Sequence, residues 1–155
     1  MVEKNYFHVI KNDETKLSDA LNYYSEQYEN AVNDVSIKGN LQDNISQLSS
    51  QYEYRFSQLQ EIEAILSHFE HKMTSIRATI HRDMIENSRR QLTSSDIKQY
   101  VDGSEKVIAF QIIINEITLV RNKFLALTKG FETKQYMLNN ITKLQCAGLD
   151  CVTIK

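Results

Sequence analysis

One apolar stripe limits what this chain can fold into. Between Ser104 and Gly148, Val107, Phe110, Ile114, Ile117, Val120, Phe124, Leu127, Phe131, Leu138, Ile141 and Leu144 recur mostly at steps of three and four. That spacing places them on one face of a helix. At a rise of 1.5 Å per residue such a helix is about 65 Å long, far longer than a lone helix can keep in water with its stripe uncovered. The stripe therefore requires a partner helix.

The sequence supplies one. From Leu41 to about Asn87 a second series runs Leu41, Ile45, Leu48, Tyr52, Phe56, Leu59, Ile62, Leu66, Phe69, Met73, Ile76, Ile80, Met84, with steps close to a coiled-coil seam. Its flanks are rich in Gln, Ser and Glu. The whole chain of 155 residues has no proline and four glycines, so little in it interrupts a helix. The expected fold is all-α: a long antiparallel helical hairpin, coiled-coil-like, with a shorter helix before it, assembling into a homo-oligomer. It forms one structural domain with three segments. Residues 1–40 are acidic with one helix, 41–95 hold the long helix and a connector, and 96–155 form a C-terminal oligomerisation region.

The breaks follow from local chemistry. Residues 1–12 alternate weakly and read as an extended arm or a frayed first turn. Asp13 or Thr15 can cap a helix over about 16–35, striped by Leu17, Leu21, Tyr24, Tyr28, Ala31 and Val35. Lys38-Gly39-Asn40 ends the first part. Ser88–Ser95 is a polar interruption, and Ser95 is a candidate cap for a short helix at about 96–101. Asp102-Gly103 turns the chain, Ser104 can cap the last helix, and Gly148 suits its end. Gly130, inside the last stripe, marks a place where that helix bends, packs closely or breaks.

Charge is uneven. Residues 1–66 carry five Lys/Arg against eleven Asp/Glu, whereas 67–98 and 99–155 are each mildly basic. The basic cluster HKMTSIRATIHRDMIENSRR, residues 71–90, holds Lys72, Arg77, Arg82, Arg89 and Arg90 among hydroxyl and amide side chains. Such a set can track the phosphates of a nucleic acid. It is equally the make-up of a solvated helix face. A second set, Arg121, Lys123, Lys129, Lys134 and Lys143, is opposed between residues 121 and 145 by Glu132 alone. Tyr52, Tyr54, Tyr100 and Tyr136 are aromatics able to stack on unpaired bases.

Other chemistry is sparse. No phosphate loop, nucleophile elbow or zinc-protease motif is present, and no enzyme or cofactor is expected. His68 and His71 share a helix at i, i+3 but have no evident carboxylate partners, so no metal is expected. Cys146 and Cys151 read as reduced cytosolic thiols. No apolar run is long enough for a membrane span, and the opening residues lack a signal-peptide core.

The stretch from Ile97 to Gly148 resembles the UvsY-like recombination mediators of T-even-like bacteriophages. The carrying features are the Asp102-x-x-Glu105 turn, the apolar segment 107–127, the run K-G-F-E-T-K at 129–134 and the closing Ala147-Gly148. The helix Leu59–Met84 is similar to the basic-flanked helix of that family. The first 40 residues carry no likeness, and the acidic N-terminal third departs from the family. The resemblance implies a non-enzymatic homo-oligomer, cytoplasmic in an infected bacterial host. It would bind single-stranded DNA and load a RecA-like recombinase onto DNA covered by single-strand DNA-binding protein. It implies DNA contacts at Lys72, Arg77 and Arg82, to which the charge pattern adds Arg89, Arg90, Lys129 and Lys134. It places oligomerisation in 104–148, where the stripe offers Phe110, Ile113, Ile114, Ile117, Phe124, Leu127 and Phe131. The competing reading is a coiled-coil adaptor or phage assembly chaperone without nucleic-acid binding.

Overall fold

The computed structural model describes residues 5–88 and 92–149. Among them the chain is all-α, with helices α1 (Tyr6–Asn12), α2 (Leu17–Ala31), α3 (Leu41–Asn87), α4 (Ser94–Asp102) and α5 (Glu105–Cys146), and 3₁₀ turns at Glu14–Lys16 and Val32–Val35. No helix among the described residues is long and apolar enough to cross a membrane. The chain forms two compact units, residues 1–17 with 61–121 and residues 18–60 with 122–155. The segments 1–40, 41–95 and 96–155 expected from the sequence each contribute to both.

In the first unit, the second half of α3 lies antiparallel to the first half of α5. Phe69 meets Phe110 with ring centroids 6.1 Å apart, and further along Arg121 donates through Nε and Nη2 to Glu63 Oε1 at 3.1 and 3.0 Å. Ile62, Ile65, Phe69 and Met73 of α3 are buried, with Val107, Ile114, Ile117 and Val120 of α5 and Ile97 and Val101 of α4. Each such side chain removed from water contributes about 1.5–3 kcal/mol.

Residues 6–12 are helical rather than extended. Asn5 caps α1 by accepting from His8 N–H at 3.2 Å, and Ile10 is wholly buried. Of the two candidate caps, Asp13 is the one used. Its carboxylate takes Thr15 N–H at 3.1 Å and Thr15 Oγ1 at 2.6 Å, opening the 3₁₀ turn. α4 is capped by Thr93 rather than Ser95. A capping box needs an acceptor three residues on, and Asp96 stands there: Thr93 Oγ1 accepts from Asp96 N–H at 3.2 Å while Asp96 Oδ2 accepts from Thr93 N–H at 3.1 Å. Ser104 takes the first position before α5, its carbonyl accepting from Ile108 N–H at 3.0 Å.

In the second unit, α2 and the turn Val32–Val35 pack with the first half of α3 and the second half of α5. Tyr24 and Phe124 meet edge to face at 6.0 Å and 88°. Leu59, Leu127, Phe131 and Leu138 complete the apolar core. Gly39, with φ 75°, turns the chain into α3, and Asn40 caps it by accepting from Gln42 N–H at 2.9 Å. α5 runs unbroken through Gly130. A Cβ there would stand 2.8 Å from Val35 Cγ1, so the glycine serves close packing, one of the three outcomes foreseen for it. Gly148, at φ 72°, ends α5. Its N–H donates to Gln145 O at 3.0 Å and Leu149 N–H to Leu144 O at 3.1 Å, a Schellman-type cap.

The buried face of α3 departs from the expected seam in the second unit. Ile45 and Phe56 are exposed, and Arg55 and Gln58 are buried in place of Phe56. The cause is α2 and its following turn, which offer Arg55 polar partners. Arg55 Nη1 donates to Gln27 Oε1 at 3.1 Å and Gln58 Oε1 at 3.0 Å, and Nη2 lies 3.5 Å from Asp34 Oδ2. In the first unit Ile65, not Leu66, takes the buried place.

Candidate nucleic-acid interface

The cations of α3 leave the helix in three directions. At 100° per residue, five residues turn a side chain by about 140°, and Lys72, Arg77 and Arg82 are spaced by five. They do not form one track. Lys72 reaches Glu14 of the 3₁₀ turn, whose carboxylate also lies 3.0 Å from His68 Nε2. Burial disfavours the Glu14 charge, but the hydrogen bonds from Lys72 and His68 outweigh it and hold the carboxyl below the usual range. Arg77 points to another flank, where Nη1 lies 2.8 Å from Asp102 Oδ1. Arg82 is exposed, and its guanidinium makes no ion pair with the described residues.

On the Arg77 flank α4 lies beside α3 and lends it side chains. Arg77 and His81 of α3 and Ser94, Lys98 and Asp102 of α4 line one groove. His81 and Lys98 are exposed, and Arg77 is half-buried. The groove thus collects a guanidinium, an ammonium, an imidazole and a hydroxyl around a single carboxylate. On the other side of α4, Tyr100 is 62 % exposed beside Ile80, Met84 and Leu92.

The remaining expected contacts divide. Arg89 and Arg90 lie outside the described residues. Lys129 is exposed. Lys134 is not a surface cation. It is 5 % exposed, its Nζ donates to Asp34 O at 2.7 Å, and burial pulls its pKa below the usual lysine value. It is removed from the candidate set because its ammonium is spent inside the second unit. Arg121 is engaged with Glu63, and Lys123 lies over the Tyr28 ring at 5.6 Å. Among the tyrosines, Tyr136 is exposed, Tyr54 sits under the Arg55 guanidinium at 4.9 Å, and Tyr52 stacks on Phe56 at 5.9 Å.

The residues expected to join subunits are mostly occupied within the chain. Ile114 and Ile117 are buried in the first unit, and Phe124, Leu127 and Phe131 in the second. Phe110 and Ile113 are half-buried. In the first half of α5 the exposed large apolar residues are Ile108, Ile112 and Leu119; of the apolar face expected from the sequence beside the main stripe, Ile112 and Leu119 are exposed and Ile113 is half-buried. The spacing of four and seven puts Ile108, Ile112 and Leu119 on one face, away from the buried one.

Sequence reasoning placed His81 in the same basic cluster as Arg77 but missed Lys98 and Ser94 as its neighbours. The missing signal was the position of α4, which no periodicity in α3 encodes. Among the described residues no three His, Cys, Asp or Glu side chains gather as a metal set, and Cys146 is an exposed free thiol. Comparison of the chain with protein-family models, with curated proteins and with solved structures returned no match in any of the three.

Proposed function

We propose that the chain is a non-catalytic helical protein that binds single-stranded DNA and acts as a recombination mediator. It would load a RecA-like recombinase onto DNA covered by single-strand DNA-binding protein, in the cytoplasm of an infected bacterial host. The mediator role rests on the resemblance of residues 97–148 to the UvsY-like family. The DNA-binding part is supported by one observation, the convergence of Arg77, His81, Ser94 and Lys98 on one groove, with exposed Arg82 on the same helix. Clustered donors of this kind suit phosphate oxygens, and they read no sequence. Binding is therefore sequence-tolerant and falls steeply with salt. Fluorescence anisotropy with a labelled oligothymidylate, repeated at rising salt, tests it. Absence of binding at low salt rejects the reading.

A modest set of cations in one subunit becomes effective when copies assemble, because linked sites bind a polyanion with a high effective concentration. Self-association is therefore part of the proposal, through Ile108, Ile112 and Leu119 rather than the buried stripe. The same exposed face favours the second reading, a coiled-coil adaptor or assembly chaperone without nucleic-acid binding. Copurification of a protein partner, with no oligonucleotide binding at low salt, selects that reading.

A further inference from the structure

In the groove between α3 and α4, Asp102 is the carboxylate that meets Arg77. Its Oδ1 lies 2.8 Å from Arg77 Nη1, and Lys98, His81 and Ser94 border the same space. Arg77 and Asp102 side chains are 42 % and 41 % exposed, so water reaches both and the pair is exchangeable. Asp102 is also the last residue of α4, the end at which a helix dipole disfavours a negative charge. The carboxylate is thus held there by Arg77 and not by its own helix.

We infer that this groove binds a backbone phosphate and that Asp102 is its resident competitor, displaced from Arg77 when the phosphate enters. The inference rests on the nucleic-acid reading above and adds the regulation of that site. A phosphate offers more acceptor oxygens than Asp102 presents to Arg77, and can take donors from Arg77 and Lys98 together. The pair is water-exposed, so Asp102 leaves Arg77 at little cost, and a weak anion that offers no more than the carboxylate gains little by replacing it. Exchange also sets a threshold: ligands that engage only one of the two cations gain little over the carboxylate they displace.

The test is a double-mutant cycle on the full-length chain, read by anisotropy with a labelled oligothymidylate at fixed salt. Asp102→Asn removes the competitor and keeps its shape, and tightens binding about two- to five-fold, the value of an exposed ion pair. Arg77→Ala and Lys98→Ala each weaken it by about ten-fold. In the Arg77→Ala background Asp102→Asn brings no gain, because the competition it relieves is gone. An equal gain in both backgrounds means a general charge effect and overturns the inference. So does an oligonucleotide affinity that none of the three substitutions moves, although the nucleic-acid reading then stands. If no variant binds the oligonucleotide, the nucleic-acid reading falls, and inorganic phosphate titrated into the ¹⁵N-labelled protein decides the rest. Amide shifts confined to 77–81 and 94–102, stronger in Asp102→Asn, keep the groove as a site for free phosphate. Unmoved amides reject it.

Discussion

Gly130 of α5 and Val35 of the 3₁₀ turn meet so closely that any side chain at 130 enters the valine: a Cβ there would lie 2.8 Å from Val35 Cγ1. Helix propensity argues the other way, since alanine in a helix interior is favoured over glycine by about 1 kcal/mol. Overpacking a filled site costs about 1–3 kcal/mol. Gly130→Ala is therefore expected to lower the thermal midpoint. Val35→Ala makes room, and adding Gly130→Ala to it should raise the midpoint relative to Val35→Ala alone. Thermal denaturation followed by circular dichroism checks both. A rise for Gly130→Ala in the wild-type background would contradict the close packing.

The Glu14 clamp predicts a pH dependence. Its carboxyl is held below the usual value of 4.5 in the folded chain. A carboxylate with a depressed folded pKa stabilises the fold above its unfolded value, and that contribution is lost as pH falls through the folded one. Glu14→Gln should thus cost about 1 kcal/mol or less at neutral pH, because a third of the side chain is exposed and screened. The difference from wild type should shrink below pH 4.5. Urea unfolding at several pH values measures it. A difference that stays constant down the series would show that the clamp is not ionic.

Lys134 separates burial from binding. Lys134→Met keeps the length of the side chain, removes a buried ammonium and leaves the Asp34 carbonyl without that donor. The two effects oppose each other, and stability is expected to change by no more than about 1 kcal/mol. Oligonucleotide affinity and its salt slope should not change. Arg82→Ala should weaken binding and lower the salt slope by about 1. An affinity loss in Lys134→Met at unchanged stability would return that residue to the interface.

The two faces of α5 give opposite outcomes. Ile117→Glu places a charge in a fully buried position and should unfold the first unit. Ile112→Glu, on the exposed face, should leave helicity and thermal midpoint close to wild type while abolishing self-association in sedimentation velocity. A wild-type chain that sediments as a monomer at micromolar concentration would remove the assembly from the proposal.

Much of the architecture is legible in the residues themselves. The stripe from Leu41 to Met84 and the Gly39 and Asn87 boundaries locate α3, because period and breakers are local properties. Gly148 is legible as a helix end, whereas Gly130 is legible only as an interruption of the stripe, its close contact with Val35 being set by an element distant in sequence. The capping of α4 was open to reading from Thr93-x-x-Asp96, yet Ser95 has the same chemistry and hides it. Arg55 and Gln58 were not legible: each stands one step off the apolar seam and looks exposed until a third element brings partners, which for Arg55 are the sequence-distant Gln27 and Asp34. The groove beside Arg77 was hidden for the same reason. Lys134 stands in the stripe itself, three residues after Phe131 and four before Leu138, and its charge hid a burial that the Asp34 carbonyl allows.

The buried Arg55 also limits which way the second unit can be wrong. Seams of leucine and isoleucine tolerate sliding, because one apolar knob fits a neighbouring hole nearly as well as its own. A guanidinium held by Gln27 and Asp34 has no such alternative: moved by a turn against α2, it keeps Gln58 of its own helix but loses its acceptors on α2 and the following turn, and a buried charge left so poorly paired costs several kcal/mol. Arg55 thus acts as a register pin for α3 against α2, and its replacement by leucine would trade uniqueness of alignment for apolar area.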